Sequence, residues 1–419
     1  PTKTKPNVVL IVSDDMGWKD VGFHGSEIRT PNLDRLAAEE VELDRFYAYP
    51  ICSPTRVALM TGRSPIRYGI LSPVGKSSKA LPVEEFILPQ AFKAAGYQTF
   101  MTGKWHLGAP DENAMPHRRG FDHFYGFLSG FIDYYTHTDT RRRNLDWMRN
   151  GKPVHEEGYA TDLLADEAVR LVEGRDRAKP FFLYVSHESP HFPFQGPKDA
   201  KKRVDKTNWM TPDTDTYVAM LEDLDREVGR VLSALEQHGL EKNTLVIFCS
   251  DNGHAYMGGP KGYRFPLRGK KGTVWEGGHR VPGIAWWPGK IKPGQVSDEM
   301  VISLDLMPTM LDLAGATPPK GHALDGVSLR PVLLGGGSLG QRQFFWRGQA
   351  MRDGQWKYVA SPKGGGLFNL KTDLAESMNL AKRHPERARR MAAALEAWKR
   401  DVANGATPQP DYDTASLNK

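Results

Sequence analysis

The chain has 419 residues, enough for about two to three domains of ordinary size. Hydrophobic residues make up 39%, and glycine and proline number 42 and 30, which is typical of a loop-rich globular protein and excludes disordered, fibrous and coiled-coil classes. The net charge of +6 favours an anionic ligand, but no clustered basic motif accompanies it, so nucleic-acid binding is not expected. No apolar run approaches the length of a membrane span.

Cysteine usage and the start of the sequence bear on the compartment. The only cysteines are Cys52 and Cys249, which excludes a disulfide scaffold and a thiolate zinc site. The sequence starts at Pro1 without a signal peptide and contains no Asn-x-Ser/Thr glycosylation site. The missing glycosylation site favours a bacterial origin over a eukaryotic secreted or lysosomal glycoprotein. Since a processed N-terminus would have the same appearance, we expect a periplasmic or secreted protein, with a cytoplasmic location as the alternative.

Three continuous apolar runs predict strands that are buried on both faces. The runs cover residues 8–12, 181–185 and 245–249. Amphipathic stretches between them predict helices at residues 33–40, 159–173 and 217–238. Strands that alternate with helices indicate an α/β sandwich with a large, mostly parallel sheet flanked by helices. In such sheets ligands bind beyond the carboxyl ends of the strands.

The pattern changes after the glycine triplet at residues 335–337. Short strands are predicted at residues 344–350, 355–360 and 367–370, followed by a last helix with Pro385 in its first turn and Gly405 just past its end. We therefore expect a catalytic domain over residues 1–337 and a small α+β subdomain with an antiparallel sheet over residues 338–419. The polar tail from Thr407 is expected to be weakly ordered.

Polar residues follow two of the apolar runs. Asp14 and Asp15 come after the first, and Asp251 and Asn252 after the third. Each pair alone fits turn chemistry or helix capping. Together, at one edge of a parallel sheet, they offer the hard oxygen donors that calcium or magnesium prefers.

A helix start is predicted near Pro54, with Cys52 or Ser53 as its cap and Arg56 one turn along on the face of Cys52. The free N–H groups of a helix N-terminus attract anions, so an anion could bind where the Cys52 side chain points. A buried and inert cysteine is the alternative, and the residues alone do not decide between the two.

The segment Cys52-Ser53-Pro54-Thr55-Arg56 resembles the Cys-x-Pro-x-Arg signature of the type I sulfatases, whose cysteine is oxidised by a maturation enzyme to Cα-formylglycine. Further segments resemble that family in the same order, and they cover residues 8–18, 30–34, 102–108, 250–253, 267–273 and 276–278. The resemblance runs from about residue 7 to about residue 330 and implies an alkaline-phosphatase-like sandwich. Residues 20–26, 118–122 and 133–135 are similar to arylsulfatase B, an N-acetylgalactosamine 4-sulfatase, and to bacterial polysaccharide sulfatases.

The resemblance implies roles for individual residues. The calcium ligands would be Asp14, Asp15, Asp251 and Asn252, joined by an oxygen of the formylglycine made from Cys52. The residues that hold the sulfate would be Lys104, His106, His191 and Lys271, with Arg56 steadying the formylglycine hydrate. His187 competes with His191 and Lys270 with Lys271, but the sequence context favours His191 and Lys271. Cys249, inside an apolar run, is expected to be a core residue.

The chemistry of sulfate esters explains these residue types. A sulfate monoester repels nucleophiles, so a divalent cation and several basic side chains must gather its charge. The resemblance implies that one oxygen of the hydrated aldehyde, deprotonated with help from Asp251, attacks sulfur while His191 and Lys271 supply a proton to the leaving oxygen. The second hydroxyl, deprotonated by His106, then collapses to the aldehyde and expels sulfate.

The expected function is hydrolysis of a sulfate monoester on a sulfated galactose or N-acetylgalactosamine unit of a glycan, with the maturation enzyme as a further partner. Alternatives are a phosphonate or phosphate monoester hydrolase with the same machinery and a catalytically silent glycan-binding homologue. The sequence does not indicate an oligomeric state. Tyr134 and His254 are predicted to bind substrate. Other loop residues that could line a sugar subsite are Tyr135, His137, Arg141, Arg142, Arg143 and Trp147.

Overall fold

The computed structural model describes residues 5–75, 80–108, 111–201, 214–255, 266–362 and 364–404. The strands are β1 (Asn7–Ser13), β2 (Val41–Leu43), β3 (Phe46–Tyr47), β4 (Gln98–Lys104), β5 (His123–Phe127), β6 (Met148–Arg149), β7 (Lys152–Pro153), β8 (Phe181–Ser186), β9 (Thr244–Ser250), β10 (Gly283–Trp286), β11 (Gln295–Ser297), β12 (Val301–Ile302), β13 (Gln343–Trp346), β14 (Ala350–Asp353), β15 (Trp356–Val359) and β16 (Gly366–Asn369). The α-helices are α1 (Pro31–Glu39), α2 (Cys52–Thr61), α3 (Leu88–Ala94), α4 (Ala160–Glu173), α5 (Thr214–Gln237), α6 (Glu276–His279), α7 (Leu306–Ala314), α8 (Arg330–Gly335) and α9 (Pro385–Asn404).

Ten strands form one mixed sheet in the order β11-β2-β10-β9-β1-β8-β4-β5-β6-β7. Its centre, from β9 to β5, is parallel, whereas β10, β6 and β7 add antiparallel pairings toward the edges. The three apolar runs of the sequence are β1, β8 and β9, which lie side by side. This arrangement confirms the expected sandwich with a mostly parallel sheet.

Side chains of the central strands alternate between two cores, one on each face of the sheet. Val9 and Ile11 of β1 belong to a core shared with α1, α4 and α5, while Val8 and Leu10 belong to a core shared with α2, α3 and α7. Since both faces are covered, a central strand has to be apolar at every position, which is why these runs show no alternation. None of the described helices combines the length and the apolar character needed to cross a bilayer.

A second, four-stranded antiparallel sheet is formed by β13 to β16, and α9 packs on it. The single strand predicted at residues 344–350 is wrong, because the chain reverses there between β13 and β14. Arg347 and Gly348 both have positive φ, 53° and 64°, as a tight turn requires. Trp398 of α9 stacks on Phe345 with ring centroids 4.8 Å apart. Gly405 and the tail from Thr407 lie outside the described residues, and the boundary at residue 337 stays a prediction.

A buried ionic cluster joins this small sheet to α6. The ammonium group of Lys357 on β15 lies 2.9 Å from Glu276 Oε1 and 2.9 Å from Glu376 Oε1. Tyr47 donates a hydrogen bond of 2.7 Å to Glu276 Oε2. All three charged side chains are fully buried, so each needs the others to compensate its charge. The cluster therefore anchors the segment that follows Lys271 to the small sheet.

We expect Gly103→Ala to destabilise the protein by more than about 4 kcal/mol, because a Cβ there would lie 1.8 Å from the carbonyl oxygen of Ser186 on the neighbouring strand. Gly96→Ala is the matched control, since Gly96 also has a positive φ, 86°, but has no atom within 4 Å of the added Cβ. It should lose only about 1–2 kcal/mol from backbone strain. Urea unfolding of both variants measures the difference, and equal losses would show that close approach of the strands is not the cause.

Candidate active site

The acidic residues meet because their strands are neighbours. β1 and β9 pair in parallel with Ser13 opposite Ser250, so the residues that follow each strand leave the sheet at the same edge. The amide of Asn252 donates a hydrogen bond of 2.7 Å to Asp15 Oδ1, and the backbone N–H of Asp15 lies 3.3 Å from Asp251 Oδ1. Residues more than 230 positions apart thus form one polar cluster.

Cys52 lies at the N-terminal end of helix α2, beside this cluster. The prediction that Cys52 or Ser53 caps the helix is wrong, because the N-cap is the extended residue Ile51 and Cys52 is the first helical residue. Ser53 instead donates a hydrogen bond of 3.1 Å to the carbonyl of His106. Cys52 Sγ lies 3.3 Å from His106 Nδ1 and is 1% exposed. The thiol therefore lies at a positively polarised helix end and against an imidazole.

Arg56 lies one turn beyond Cys52 and ties three strands together. Its guanidinium donates to Asp251 Oδ2 through Nε at 3.0 Å and Nη2 at 2.8 Å. Nη1 donates to the carbonyl of Lys104 at 3.0 Å and to the hydroxyl of Ser186. Since Arg56 and Asp251 are both fully buried, the arginine orients this carboxylate and compensates its charge.

We expect Arg56→Met to lower the free energy of unfolding of the metal-free protein by about 3–5 kcal/mol, because it leaves the buried Asp251 carboxylate without its partner. Arg35→Met is the matched control, because the pair of Arg35 with Glu236 is more than a third exposed on both sides and should contribute less than about 1 kcal/mol. Urea unfolding with a chelator present measures both losses. A loss at Arg56 no larger than that at Arg35 would contradict the role of the buried pair.

Two lysines face the carboxylates that follow β1. Lys104, at the end of β4 and fully buried, contacts Asp14 Oδ2. Lys271 Nζ lies 2.6 Å from Asp15 Oδ1, and its side chain is 16% exposed. The competing Lys270 is exposed, so the structure brings Lys271 and not Lys270 to the cluster.

His191 and its competitor His187 occupy different environments. His191 Nε2 lies 3.7 Å from Asp15 Oδ2, whereas both ring nitrogens of His187 are buried and find no hydrogen-bond partner in the described part of the chain. Burial lowers the pKa of His187 to about 4. His191 Nδ1 lies 2.5 Å from the carbonyl of Phe192, which assigns the proton of the neutral ring to Nδ1 and leaves Nε2 as an acceptor. His191 can therefore donate a proton toward the cluster only as the imidazolium.

Burial and neighbouring charges set the protonation states. Burial raises the pKa of Asp15 to about 6, against the effect of Lys271. Burial and the charge of Asp14 raise the pKa of Asp251 to about 7. For Asp14 itself, burial is outweighed by Lys104 and other cations, which hold its pKa well below the usual range. The three carboxyl groups face the three cations Arg56, Lys104 and Lys271, so the formal charges balance, and the raised pKa values of Asp15 and Asp251 reflect the cost of burying their charged forms.

The donor atoms fit a metal ion. Among the described residues, three buried oxygens of the cluster have no hydrogen-bond partner: Asp14 Oδ1, Asp15 Oδ2 and Asn252 Oδ1. Leaving a buried polar oxygen unpaired costs free energy, so a cation is the natural partner for these three. One potential ligand atom from each of Asp14, Asp15 and His191 lies within 4.8 Å of the others. Oxygen donors favour calcium or magnesium, and the proximity of His191 is a feature that the sequence did not indicate.

Two residues of the site have a left-handed backbone that side chains other than glycine rarely adopt. Asp15 has φ of 68° and His106 has φ of 55°. Such conformations cost about 1–3 kcal/mol each and persist where the surrounding structure holds them. Here they turn the Asp15 carboxylate toward Lys271 and the His106 ring toward Cys52.

A cavity of about 270 Å³ lies beside the acidic cluster and opens to solvent. Its inner wall includes Cys52, His106, His191 and Lys271. The rest of the lining comes from loops, among them Gly75, Gly130, Phe131, Asp139, Arg141, Arg142 and Phe192. The structure thus brings four of the predicted site residues around one cavity, with the fully buried Lys104 and the acidic cluster beside them.

Two further residues predicted to bind substrate, Tyr134 and His254, do not line the cavity. Tyr134 is fully buried, stacks on Tyr159 and donates a hydrogen bond of 2.9 Å to the carbonyl of His191, so it supports the His191 loop and does not line the cavity. His254 is 2% exposed, and its carbonyl accepts a hydrogen bond from the backbone of Lys271. Neither belongs to the cavity lining.

Among the other loop residues considered from the sequence, only Arg141 and Arg142 line the cavity. His137 and Trp147 are buried and stack on each other. Sequence reasoning missed Phe131, Asp139 and Phe192, of which only Phe192 carried a local signal, its place directly after His191.

Two family models match the chain. The model described as Sulfatase matches residues 6–316, and the model described as N-sulphoglucosamine sulphohydrolase, C-terminal, matches residues 269–396. Between them they include the whole candidate site and most of the small sheet with α9.

Individual sulfatases are similar over most of the chain. Arylsulfatase J of Mus musculus is 37% identical over 334 residues, 78% of this chain and 55% of the relative, so the chain spans little more than half of that protein. N-acetylgalactosamine-6-sulfatase of Rattus norvegicus is 38% identical over 382 residues, 84% of this chain and 71% of the relative. The crystal structure of Ps i-CgsB in complex with k-i-k-neocarrahexaose superposes with a TM-score of 0.85 at 31% identity, covering 98% of this chain and 95% of that one, which supports the expected alkaline-phosphatase-like architecture. Given the matching family model and these relatives, the chain belongs to the sulfatase family of sulfuric ester hydrolases.

Proposed function

We propose that this protein hydrolyses a sulfate monoester on a sulfated saccharide, using a formylglycine formed from Cys52 and a calcium ion. The observation that carries the proposal is that three buried oxygens, on Asp14, Asp15 and Asn252, have no hydrogen-bond partner among the described residues and lie beside the cavity that Cys52 and Lys271 line. Asp14, Asp15, Asp251 and Asn252 would hold the calcium ion, which supplies positive charge for the sulfate and for the oxygen that attacks it. As a hydrate, formylglycine would supply an oxygen nucleophile and a second hydroxyl for release of sulfate.

The basic side chains would bind the sulfate group from several sides. Lys104 and Lys271 contribute ammonium groups beside the acidic cluster. Burial opposes the charged form of Lys271, but Asp15 and the neighbouring acidic groups outweigh it and raise its pKa, so Lys271 carries a proton at neutral pH. Because it is protonated, Lys271 is the main proton donor to the leaving oxygen. His191 assists when the bound sulfate anion favours the imidazolium form of the histidine.

His106 suits the role of a base. Burial, together with the positive charges of Lys104 and Arg56, lowers its pKa well below the usual range, so its ring is neutral. Its Nδ1 faces the side chain of Cys52 at 3.3 Å, which is within reach of a proton on the group that replaces the thiol. Arg56 would act through Asp251, whose carboxylate it orients.

The substrate we propose is a glycan with a sulfated galactose or N-acetylgalactosamine unit. Support comes from the relative named N-acetylgalactosamine-6-sulfatase and from the basic and aromatic lining of the cavity. The particular likeness to arylsulfatase B and the position of the sulfate remain predictions. With such a substrate, the bacterial periplasm or the extracellular space is the compartment we propose.

The experiment compares sulfate and phosphate esters of the same alcohol, 4-nitrophenol, with enzyme made together with a formylglycine-generating enzyme. We expect faster turnover of the sulfate ester, followed by sulfate release from defined sulfated galactose or N-acetylgalactosamine saccharides. Preference for the phosphate ester would replace the proposal by a phosphomonoester hydrolase. No turnover of any sulfate ester by fully modified protein would indicate a glycan-binding homologue instead.

A further inference from the structure

Two arginines form the outer part of the cavity wall. Arg141 and Arg142 are exposed, whereas Cys52 and His106 on the inner wall are almost fully buried. The cavity of about 270 Å³ lies just below the range of roughly 300–1,000 Å³ typical of small-molecule sites. A cavity of this size has room for about one sulfated sugar, so a further part of a glycan would lie near the two arginines.

The turn that carries these arginines does not pair their side chains with an acid among the described residues. The Asp139 carboxylate accepts the backbone N–H groups of Arg141 at 2.9 Å and Arg142 at 3.1 Å, and the Asp139 carbonyl accepts the N–H of Arg143 at 2.6 Å. The nearby acid is thus used to shape the backbone. Over the described ranges of the chain, neither the Arg141 nor the Arg142 guanidinium has an ion pair or a hydrogen bond.

Arg141 is also held in place against the site. Its guanidinium lies over the ring of Phe131, 4.9 Å from the centroid. Phe131 in turn stacks on His191, with ring centroids 5.3 Å apart and planes 24° apart. Phe131 therefore links Arg141 at the cavity mouth to His191 on the inner wall. The contact with the ring restricts the orientations of the Arg141 guanidinium.

We propose that Arg141 and Arg142 bind a second anionic group of the substrate while the sulfate to be cleaved lies beside Cys52. This inference rests on the proposed sulfatase function and narrows its substrate to saccharides with at least two anionic groups, on one sugar or on adjacent sugars. A guanidinium presents paired N–H donors that match the oxygens of a sulfate or a carboxylate. Arg143 is exposed but lies outside the cavity lining, so it does not take part.

The test measures kcat/KM for release of the same sulfate group from two substrates, a monosulfated disaccharide and its counterpart with one additional sulfate. We expect the wild-type enzyme to prefer the disulfated substrate, and Arg141→Gln/Arg142→Gln to reduce that preference about 10- to 100-fold, mainly through KM. Arg141→Lys/Arg142→Lys, which keeps charge without the paired donors, should be intermediate. Arg143→Gln, the matched control from the same turn, should keep the preference of the wild type.

A sulfated disaccharide that carries a uronic acid in place of the second sulfate shows which anion is bound. Equal turnover of the two sulfated disaccharides by the wild type, or an unchanged preference in the glutamine variant, would overturn the inference while leaving the sulfatase function intact. Loss of activity on both substrates to the same extent would overturn it too, since the arginines would then serve the cleaved sulfate. If fully modified wild-type protein hydrolyses neither these substrates nor 4-nitrophenyl sulfate, the proposed function itself fails, and the inference with it.

Discussion

Cys52→Ala is expected to reduce sulfatase activity by about 10⁴-fold or more, as removal of a covalent nucleophile does in other enzymes. Burial raises the pKa of the Cys52 thiol despite the opposing charges of Lys104 and Lys271, so the unmodified side chain is a neutral thiol and a poor nucleophile. Specific activity should therefore rise in proportion to the fraction of formylglycine across preparations made with and without a maturation enzyme. Peptide mass spectrometry measures that fraction, and turnover of 4-nitrophenyl sulfate measures activity.

Two variants separate chemistry from folding. Cys52→Ser keeps a small polar side chain next to His106, so it should fold and bind substrate, yet be nearly inactive where the maturation system accepts only cysteine. Cys249→Ala is the matched control, because Cys249 is equally buried but lies inside β9, in the core as expected. It should lose about 1 kcal/mol of stability and keep its activity per folded molecule. The role assigned to Cys52 would be ruled out if the Cys52→Ser variant, or wild-type protein with an unmodified thiol, hydrolysed sulfate esters as fast as the formylglycine form.

Removal of the divalent cation has the second largest expected effect. Exhaustive chelation should abolish turnover, and calcium should restore it better than zinc, because the cluster offers carboxylate and amide oxygens without a thiolate. Calorimetry on the chelated protein should show calcium binding directly. Asp15→Asn should weaken that binding at least about 100-fold. It removes the negative charge of a carboxylate whose Oδ2 has no hydrogen-bond partner within the described parts of the chain.

Asp166→Asn is the control for the loss of one carboxylate. Asp166 of α4 has a side chain that is 55% exposed and contacts Arg230, and neither residue lines the cavity. The calcium affinity and the activity of the Asp166→Asn variant should equal those of the wild type. Full activity after chelation would contradict the calcium assignment, and better recovery with zinc would indicate that His191, close to Asp14 and Asp15, is a metal ligand.

The sequence by itself determined the parts of this protein that depend on local pattern. A strand covered on both faces has to be apolar throughout, so β1, β8 and β9 could be located within one or two residues. The polar residues directly after β1 and β9 then indicated a site at the carboxyl edge of the sheet. Pro54 located a helix start, although the cap itself was placed one or two residues too late. The signature around Cys52 led to the family.

Only the tertiary structure decided which side chains converge. Arg56 reaches Asp251, 195 residues away, because strand register and helix packing set that distance, and no local pattern encodes either. For the same reason His191 faces the acidic cluster while His187, four residues earlier, is enclosed in the core. Tyr134, expected at the surface of a sugar site, is buried because its ring stacks on Tyr159 and its hydroxyl pairs with a backbone carbonyl. Burial of this kind depends on several packed elements at once. The same holds for the position of Arg141 and Arg142 at the cavity mouth, where no acid of the described residues pairs with them.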